Sequence, residues 1–134
     1  MEDKIVLAVV KNKEKVLMGR VKDEMLKEFG GIKYVFPGGR LKEGEAPEQA
    51  VVRKTKEETG LSVEVVTKLH SRKHPVTEKD IDYFLCKTTG SLVVTISTLT
   101  EDLSSVIWTP IATLKEFMPT ISDELFTTLQ GLDD

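Results

Sequence analysis

The sequence contains a single cysteine, Cys86, among its 134 residues. One cysteine excludes an internal disulfide framework and any zinc site that is built from several cysteines. No apolar run approaches the ~20 residues that a membrane-spanning helix needs, and the apolar run at residues 5–10 is typical of a buried strand. We therefore expect a protein of a reducing, cytoplasmic compartment that does not bind membranes.

The chain also lacks a large excess of charge of either sign. It has 19 Lys+Arg against 22 Asp+Glu, which gives a net charge of -3. This balance argues against a dedicated nucleic-acid binder and against a polybasic membrane-surface protein, because both depend on a basic excess. Hydrophobic residues make up 40% of the chain, which is enough for a buried core. We expect residues 1–134 to form one domain.

The apolar pattern predicts strands separated by one central helix, with more helix at the end of the chain. Predicted strands cover residues 5–10, 16–21, 32–36, 61–69, 80–87, 92–96 and 106–108. Residues 23–31 are expected to be irregular or to form one helical turn. This mixture of elements indicates an α+β or α/β sandwich rather than a helix bundle or a β-barrel.

Helix signals are clearest around the central helix. Pro47 suits the first helical position, and Gly60 can take the left-handed conformation that ends a helix. A second helix is expected to open at residues 109–110, a threonine followed by a proline. The last helix is expected to be capped by Thr120 or Ser122.

A glycine pair, Gly38 and Gly39, precedes this central helix, and the helix carries two adjacent carboxylates, Glu57 and Glu58, near its end. Glycines allow a backbone carbonyl to approach a ligand or a cation closely, and Gly39 is expected to need that freedom. Oxygen ligands of this kind suit a hard cation such as Mg²⁺. An ordinary solvated flank with ion pairs to Arg53 is an equally good interpretation of these residues alone.

The segment resembles the Nudix box, G-x5-E-x7-R-E-U-x-E-E-x-G-U, in which U is a bulky aliphatic residue. The matching residues are Gly39, Glu45, Arg53, Glu57, Glu58, Gly60 and Leu61. The resemblance implies an α/β fold, the Nudix-type α/β/α sandwich on a mixed β-sheet. It also implies hydrolysis of a small nucleotide with Mg²⁺ or Mn²⁺, and the short chain is similar to MutT-type members that act on nucleoside triphosphates.

The resemblance also implies roles for individual residues in and around the box. Glu57, Glu58 and Arg53 would be catalytic, and Glu57, Glu58 and the Gly38 carbonyl would hold the metal. The substrate would contact Arg20, Gly39 and Arg40. A further acid is expected from a later loop, for which the candidates are Glu101 and Asp102.

Two residues depart from the box: Lys54 replaces its glutamate, and Thr55 replaces its aliphatic residue. Lys42 also replaces an acid that many members have, with Glu43 as its possible substitute. We expect Lys54 to weaken activity by competing with the metal, unless it points away or contacts a substrate phosphate. The alternatives are a catalytically impaired nucleotide sensor, or a hydrolase of a nucleotide sugar or dinucleotide.

Residues 70–77 contain two histidines, His70 and His74, spaced four residues apart. Such a pair binds metal on a helix, but Pro75 makes a helix improbable here. Two interpretations remain open: the segment faces an anionic substrate through Arg72, Lys73 and His74, or it is a solvated hairpin turn.

Overall fold

A mixed β-sheet forms the centre of the computed structural model, which describes residues 4–76, 78–90, 92 and 103–132. Strands β3, β2, β1, β6 and β5 follow one another in that order, while β4 also pairs with β1 and β7 with β2. Pairing of β1 with β6 is parallel, and the other pairs are antiparallel. The strands are β1 (Lys4–Asn12), β2 (Lys15–Val21), β3 (Tyr34–Val35), β4 (Gly38–Arg40), β5 (Val63–Lys73), β6 (Asp80–Thr88) and β7 (Leu103–Pro110).

Three helices within the described ranges accompany the sheet: α1 (Pro47–Thr59), α2 (Leu114–Phe117) and α3 (Asp123–Gln130). Two short 3₁₀ turns lie at Asp23–Met25 and Ile111–Thr113. No helix in the part of the chain described above is long and apolar enough to cross a membrane.

Alternation along β1 assigns its side chains to two separate cores, as the period of two in a strand requires. Val6, Ala8 and Val10 pack in one core with Ala50 and Val51 of α1. Val9, with Ile5 and Leu7 packed beside it, belongs to the other core, which contains buried residues of α2 and α3. Helices therefore cover both faces, and the predicted α/β sandwich on a mixed sheet is confirmed.

The central helix has the predicted ends. Gly60 follows α1 with φ 77°, the left-handed conformation that glycine adopts without strain. At the other end, the Gln49 side chain accepts a hydrogen bond of 3.0 Å from the Ala46 amide. Of the two candidate caps for α3, the structure uses Ser122, whose hydroxyl accepts from the Leu125 amide at 3.0 Å.

Two boundary predictions are wrong. The glycine pair lies outside all the predicted strands, but Gly38–Arg40 is itself strand β4 and pairs with β1. The threonine and proline at 109–110 were expected to open a helix, but they end β7, because both face β2 across the antiparallel ladder. The helical turns begin only at Ile111. Of the strand predicted at 92–96, residues 93–96 lie outside the described residues.

Candidate active site

Gly38 brings the loop before α1 into close contact with strand β1. Its φ is 149°, and a Cβ at this position would lie only 2.1 Å from the Val6 carbonyl oxygen. Only glycine therefore permits this approach. Its amide donates a 2.9 Å hydrogen bond to Glu58 Oε1. The loop backbone and the end of α1 are thus joined directly.

Gly39 differs from its neighbour, since it has no positive φ. A Cβ at Gly39 would lie 2.8 Å from Cε of Lys54, a flexible side chain that can shift. The expectation that Gly39 needs conformational freedom is therefore corrected: that requirement lies at Gly38.

Arg53 connects the loop before α1 to the carboxylates of the helix. Its Nε and Nη2 atoms donate to the two oxygens of Glu45 at 2.8 and 2.9 Å. Its Nη1 lies 3.3 Å from each oxygen of Glu57, and Nη2 also reaches the Arg40 carbonyl at 3.4 Å. A bidentate arginine–carboxylate pair of this kind has a defined geometry as well as charge, so it holds both glutamates in place.

The Arg53 hydrogen bonds have a strong electrostatic effect on Glu45. They lower the pKa of this carboxyl from its usual 4.5 to about 2, with a smaller contribution from the Lys42 amide. In return, the hydrogen bond to Glu45 raises the pKa of Arg53. Both groups are therefore fully charged at neutral pH.

Glu58 is buried, with 7% of its surface exposed, so the interpretation of this part of the helix as a solvated flank does not hold for Glu58. Its position follows from the Gly38 amide, which binds one oxygen. The Lys54 ammonium lies 3.9 Å from the other oxygen and 3.8 Å from Glu57 Oε1. Thr55, the second departure from the box, is fully buried on the inward face of α1.

A cavity of about 730 Å³ opens next to these groups. Gly38, Gly39, Arg53, Lys54 and Glu58 belong to its lining. Apolar side chains also line it, among them Met25, Phe29, Ile32, Phe36, Ile81, Tyr83, Leu103 and Met118. The pocket therefore offers both apolar and charged groups to a ligand.

His74, from the segment with two histidines, also lines the cavity. Burial, and secondarily the charge of Arg72, lowers its pKa below the usual value, so the ring is neutral near pH 7. Its Nδ1 accepts from the Val76 amide at 3.1 Å, which assigns the proton to Nε2. Arg72 instead bonds to the Tyr83 hydroxyl at 3.2 Å and the Thr120 carbonyl at 2.8 Å, and Lys73 is exposed.

The remaining predicted residues fall in different places. Arg40 lines the cavity, as does Lys42. Arg20 bonds elsewhere, to the Val21 carbonyl and to Asp23 at 3.1 Å, with its guanidinium over the Tyr34 ring. Glu43 is exposed. Glu101 and Asp102 lie outside the described residues.

A family model described as the NUDIX domain matches residues 1–129 of the chain. The chain belongs to the NUDIX domain family. The family predicted from the box is thereby confirmed. A solved structure of a NUDIX-family hydrolase from Clostridium perfringens has the same fold, with a TM-score of 0.72, 18% identity and coverage of 97% of this chain and 94% of that one.

Two curated relatives share shorter stretches with this NUDIX chain. It is 48% identical over 48 residues to the RNA pyrophosphohydrolase of Psychromonas ingrahamii, covering 36% of this chain and 26% of that protein. It is 39% identical over 56 residues to the 8-oxo-dGTP diphosphatase of Proteus vulgaris, covering 42% of this chain and 50% of that protein. The chain thus spans about a quarter to a half of the length of these relatives.

NUDIX hydrolases generally use divalent metal ions. The carboxylates of Glu57 and Glu58 are groups in this chain that could bind such an ion. Glu57 and Glu58 both approach one cationic nitrogen, so their oxygens converge on a point suited to positive charge. Within the ranges that the structure describes, no group of three acidic, histidine or cysteine side chains could hold a metal ion. Mg²⁺ is usually bound by one or two carboxylates plus waters and substrate phosphates, so the pair fits in type and charge.

Several cavity residues were missed by the sequence reasoning. Met25 and Phe29 come from the segment expected to be irregular, and Leu103 and Met118 from the end of the chain. The spacing of Met25 and Phe29, four residues apart among charged residues, is the one local signal that could have indicated a shared surface.

Proposed function

We propose that this chain is a NUDIX-type hydrolase that cleaves the pyrophosphate linkage of a nucleoside triphosphate or another nucleoside-diphosphate-linked substrate. The observation that carries this proposal is the cavity, whose lining contains Glu58 and the glycine pair together with apolar side chains. Names of the two curated relatives, an RNA pyrophosphohydrolase and an 8-oxo-dGTP diphosphatase, support the same reaction class. Its substrate would be a small nucleotide, and the single cysteine supports a cytoplasmic setting.

The cavity lining contains groups suited to both parts of a nucleotide. A nucleobase is flat and largely apolar, and the half-buried Phe29 offers it an aromatic contact surface, whereas Phe36 and Tyr83 are almost fully buried. Arg40, Lys42 and Lys79 also line the cavity, and their charges would attract the phosphates. The volume of about 730 Å³ lies within the usual range for small-molecule sites.

Glu57, Glu58 and the Gly38 carbonyl would hold an Mg²⁺ or Mn²⁺ ion. When bound, such a cation neutralises charge on the phosphates and activates water. The water oxygen would form a bond to phosphorus as the bond from phosphorus to the leaving phosphate oxygen breaks, and the proton that the water loses would pass to the solvent or to the leaving phosphate. Arg53 would act as a positioning residue, because its bonds to Glu45 and Glu57 tie the helix carboxylate to the loop.

Lys54 favours a second candidate, a NUDIX-fold protein that binds a nucleotide without turnover. Its ammonium stands beside both carboxylates, where the box has a glutamate. A hydrolase of a nucleotide sugar or a dinucleotide is the other alternative, since the same charged groups would serve any pyrophosphate.

A substrate panel separates these candidates. Purified protein is incubated with nucleoside triphosphates, an oxidised purine triphosphate, nucleotide sugars and dinucleotides, with Mg²⁺, Mn²⁺ or EDTA, and the products are resolved by chromatography. We expect metal-dependent release of a nucleoside monophosphate from at least one substrate. Binding of a nucleotide with no turnover under any condition would establish the non-catalytic candidate instead.

A further inference from the structure

Lys54 has two anionic neighbours at almost the same distance. Its Nζ lies 3.8 Å from Glu57 Oε1 and 3.9 Å from Glu58 Oε2, and 24% of its side chain is exposed. One nitrogen shared in this way by two carboxylates occupies the region in which their negative potentials add. A divalent cation bound by the same two groups would need that region.

The surroundings direct the lysine to this place. Gly39 has no side chain, and a Cβ there would be only 2.8 Å from Lys54 Cε, so the lysine stem passes directly over the loop backbone. The Gly38 amide holds Glu58 at 2.9 Å, and Arg53 contacts Glu57. Both carboxylates are therefore anchored by other groups, whatever Lys54 does.

The ammonium itself is not tightly bonded. Charge-assisted hydrogen bonds between an ammonium and a carboxylate have lengths near 2.7–2.9 Å, well below the 3.8 and 3.9 Å found here. An ion pair without such a bond is easily displaced, and the flexible lysine stem allows the ammonium to move away. The arrangement thus combines anchored anions with a mobile cation.

We propose that Lys54 is a built-in cation that competes with a divalent metal ion for Glu57 and Glu58, so that the protein without substrate binds metal weakly. This inference rests on the proposed function only in assuming that these two carboxylates are metal ligands. It assigns to Lys54 a role in setting metal affinity rather than a contact with the reacting atoms.

The test measures Mn²⁺ binding without substrate, by the loss of the electron paramagnetic resonance signal of free Mn²⁺. Lys54→Met removes the ammonium and keeps an unbranched side chain. Lys56→Met is the matched control, because Lys56 lies on the same helix but contacts the Gly60 carbonyl and the Ser62 hydroxyl. Lys54→Gln provides a second neutral variant should Lys54→Met fold poorly by circular dichroism.

We expect Lys54→Met or Lys54→Gln to lower the Kd for Mn²⁺ at least about tenfold relative to Lys56→Met, which corrects for the general loss of one positive charge. Equal affinity in the Lys54 and Lys56 variants overturns the inference, and so does the absence of Mn²⁺ binding in all of them. The proposed function fails separately. Tighter Mn²⁺ binding in a protein that hydrolyses nothing in the panel would retain this inference and reject the enzyme.

Discussion

Arg53 and Lys54 are adjacent on α1, and each is paired with two carboxylates, yet they are bound very differently. Arg53 makes a bidentate pair with Glu45 at 2.8 and 2.9 Å and reaches Glu57 at 3.3 Å. Among the described residues, Lys54 has ion pairs of 3.8 and 3.9 Å and no shorter polar contact. A planar guanidinium fits a carboxylate at two points, whereas an ammonium is a point charge on a flexible stem. Arg53 therefore forms a fixed connection, and Lys54 a displaceable one.

The largest effect is expected from Glu58→Gln, which alters one of the two carboxylates beside Lys54. The variant keeps an oxygen acceptor for the Gly38 amide but removes the negative charge. We expect kcat to fall by on the order of a hundredfold or more at saturating Mg²⁺, as for the loss of one electrostatic stabiliser. The control is Glu64→Gln, on β5, whose carboxylate pairs with Lys87 at 3.2 Å. A wild-type rate in folded Glu58→Gln would remove Glu58 from the metal site.

The Gly38 amide binds the Glu58 carboxylate, and the need for glycine at this position is tested by comparing Gly38→Ala with Gly39→Ala. At Gly38 the new Cβ would meet the Val6 carbonyl at 2.1 Å, so we expect a loss of roughly 2–3 kcal/mol in the free energy of unfolding. At Gly39 it would meet the end of the Lys54 side chain, which can shift, so the loss should be about 1 kcal/mol or less. Urea denaturation measures both. Similar losses in the two variants would contradict this distinction.

Lys54→Glu replaces the displaceable cation by the acid that the box has at this position. We expect kcat on a good substrate to rise at least about tenfold, equivalent to ~1.4 kcal/mol of barrier, because a competing charge is removed and a ligand gained. Steady-state kinetics at several Mg²⁺ concentrations provide the measurement. A lower kcat/KM in Lys54→Glu would show instead that the lysine contacts the substrate phosphates.

The bidentate pair of Arg53 and Glu45 predicts a smaller effect, which is a pH-dependent contribution to the stability of the fold. Because the pKa of Glu45 falls from 4.5 to about 2 on folding, the unfolded chain binds more protons between these values. The contribution of Glu45 is therefore complete above about pH 4.5 and is lost as the pH falls towards 2. We expect Glu45→Gln to lower the thermal midpoint by a few degrees at pH 7, and the difference from wild type to shrink in this acid window. Glu43→Gln, at an exposed position, is the control, and a difference independent of pH would exclude this linkage.

Local signals in the sequence were sufficient for much of the fold. Short apolar runs predicted β1 and β2, alternating apolar residues predicted β6, and Pro47 and Gly60 marked α1, because these signals depend only on neighbouring residues. Strand β4 was missed because two glycines carry no side-chain pattern. Its pairing depends on β1, which is more than thirty positions away in the chain.

For the candidate site, too, one part was predictable from the sequence and another part only from the tertiary structure. The resemblance to the Nudix box identified Glu45, Arg53, Glu57, Glu58 and the glycine pair, since the box lies within one loop and one helix. Only the tertiary structure showed that Glu58 is buried against the Gly38 amide. It also decided that Lys54 turns towards the carboxylates over Gly39, and that Met25, Phe29 and Met118 share a cavity with them. Contacts between distant segments depend on how the sheet and helices pack, and no local pattern encodes them.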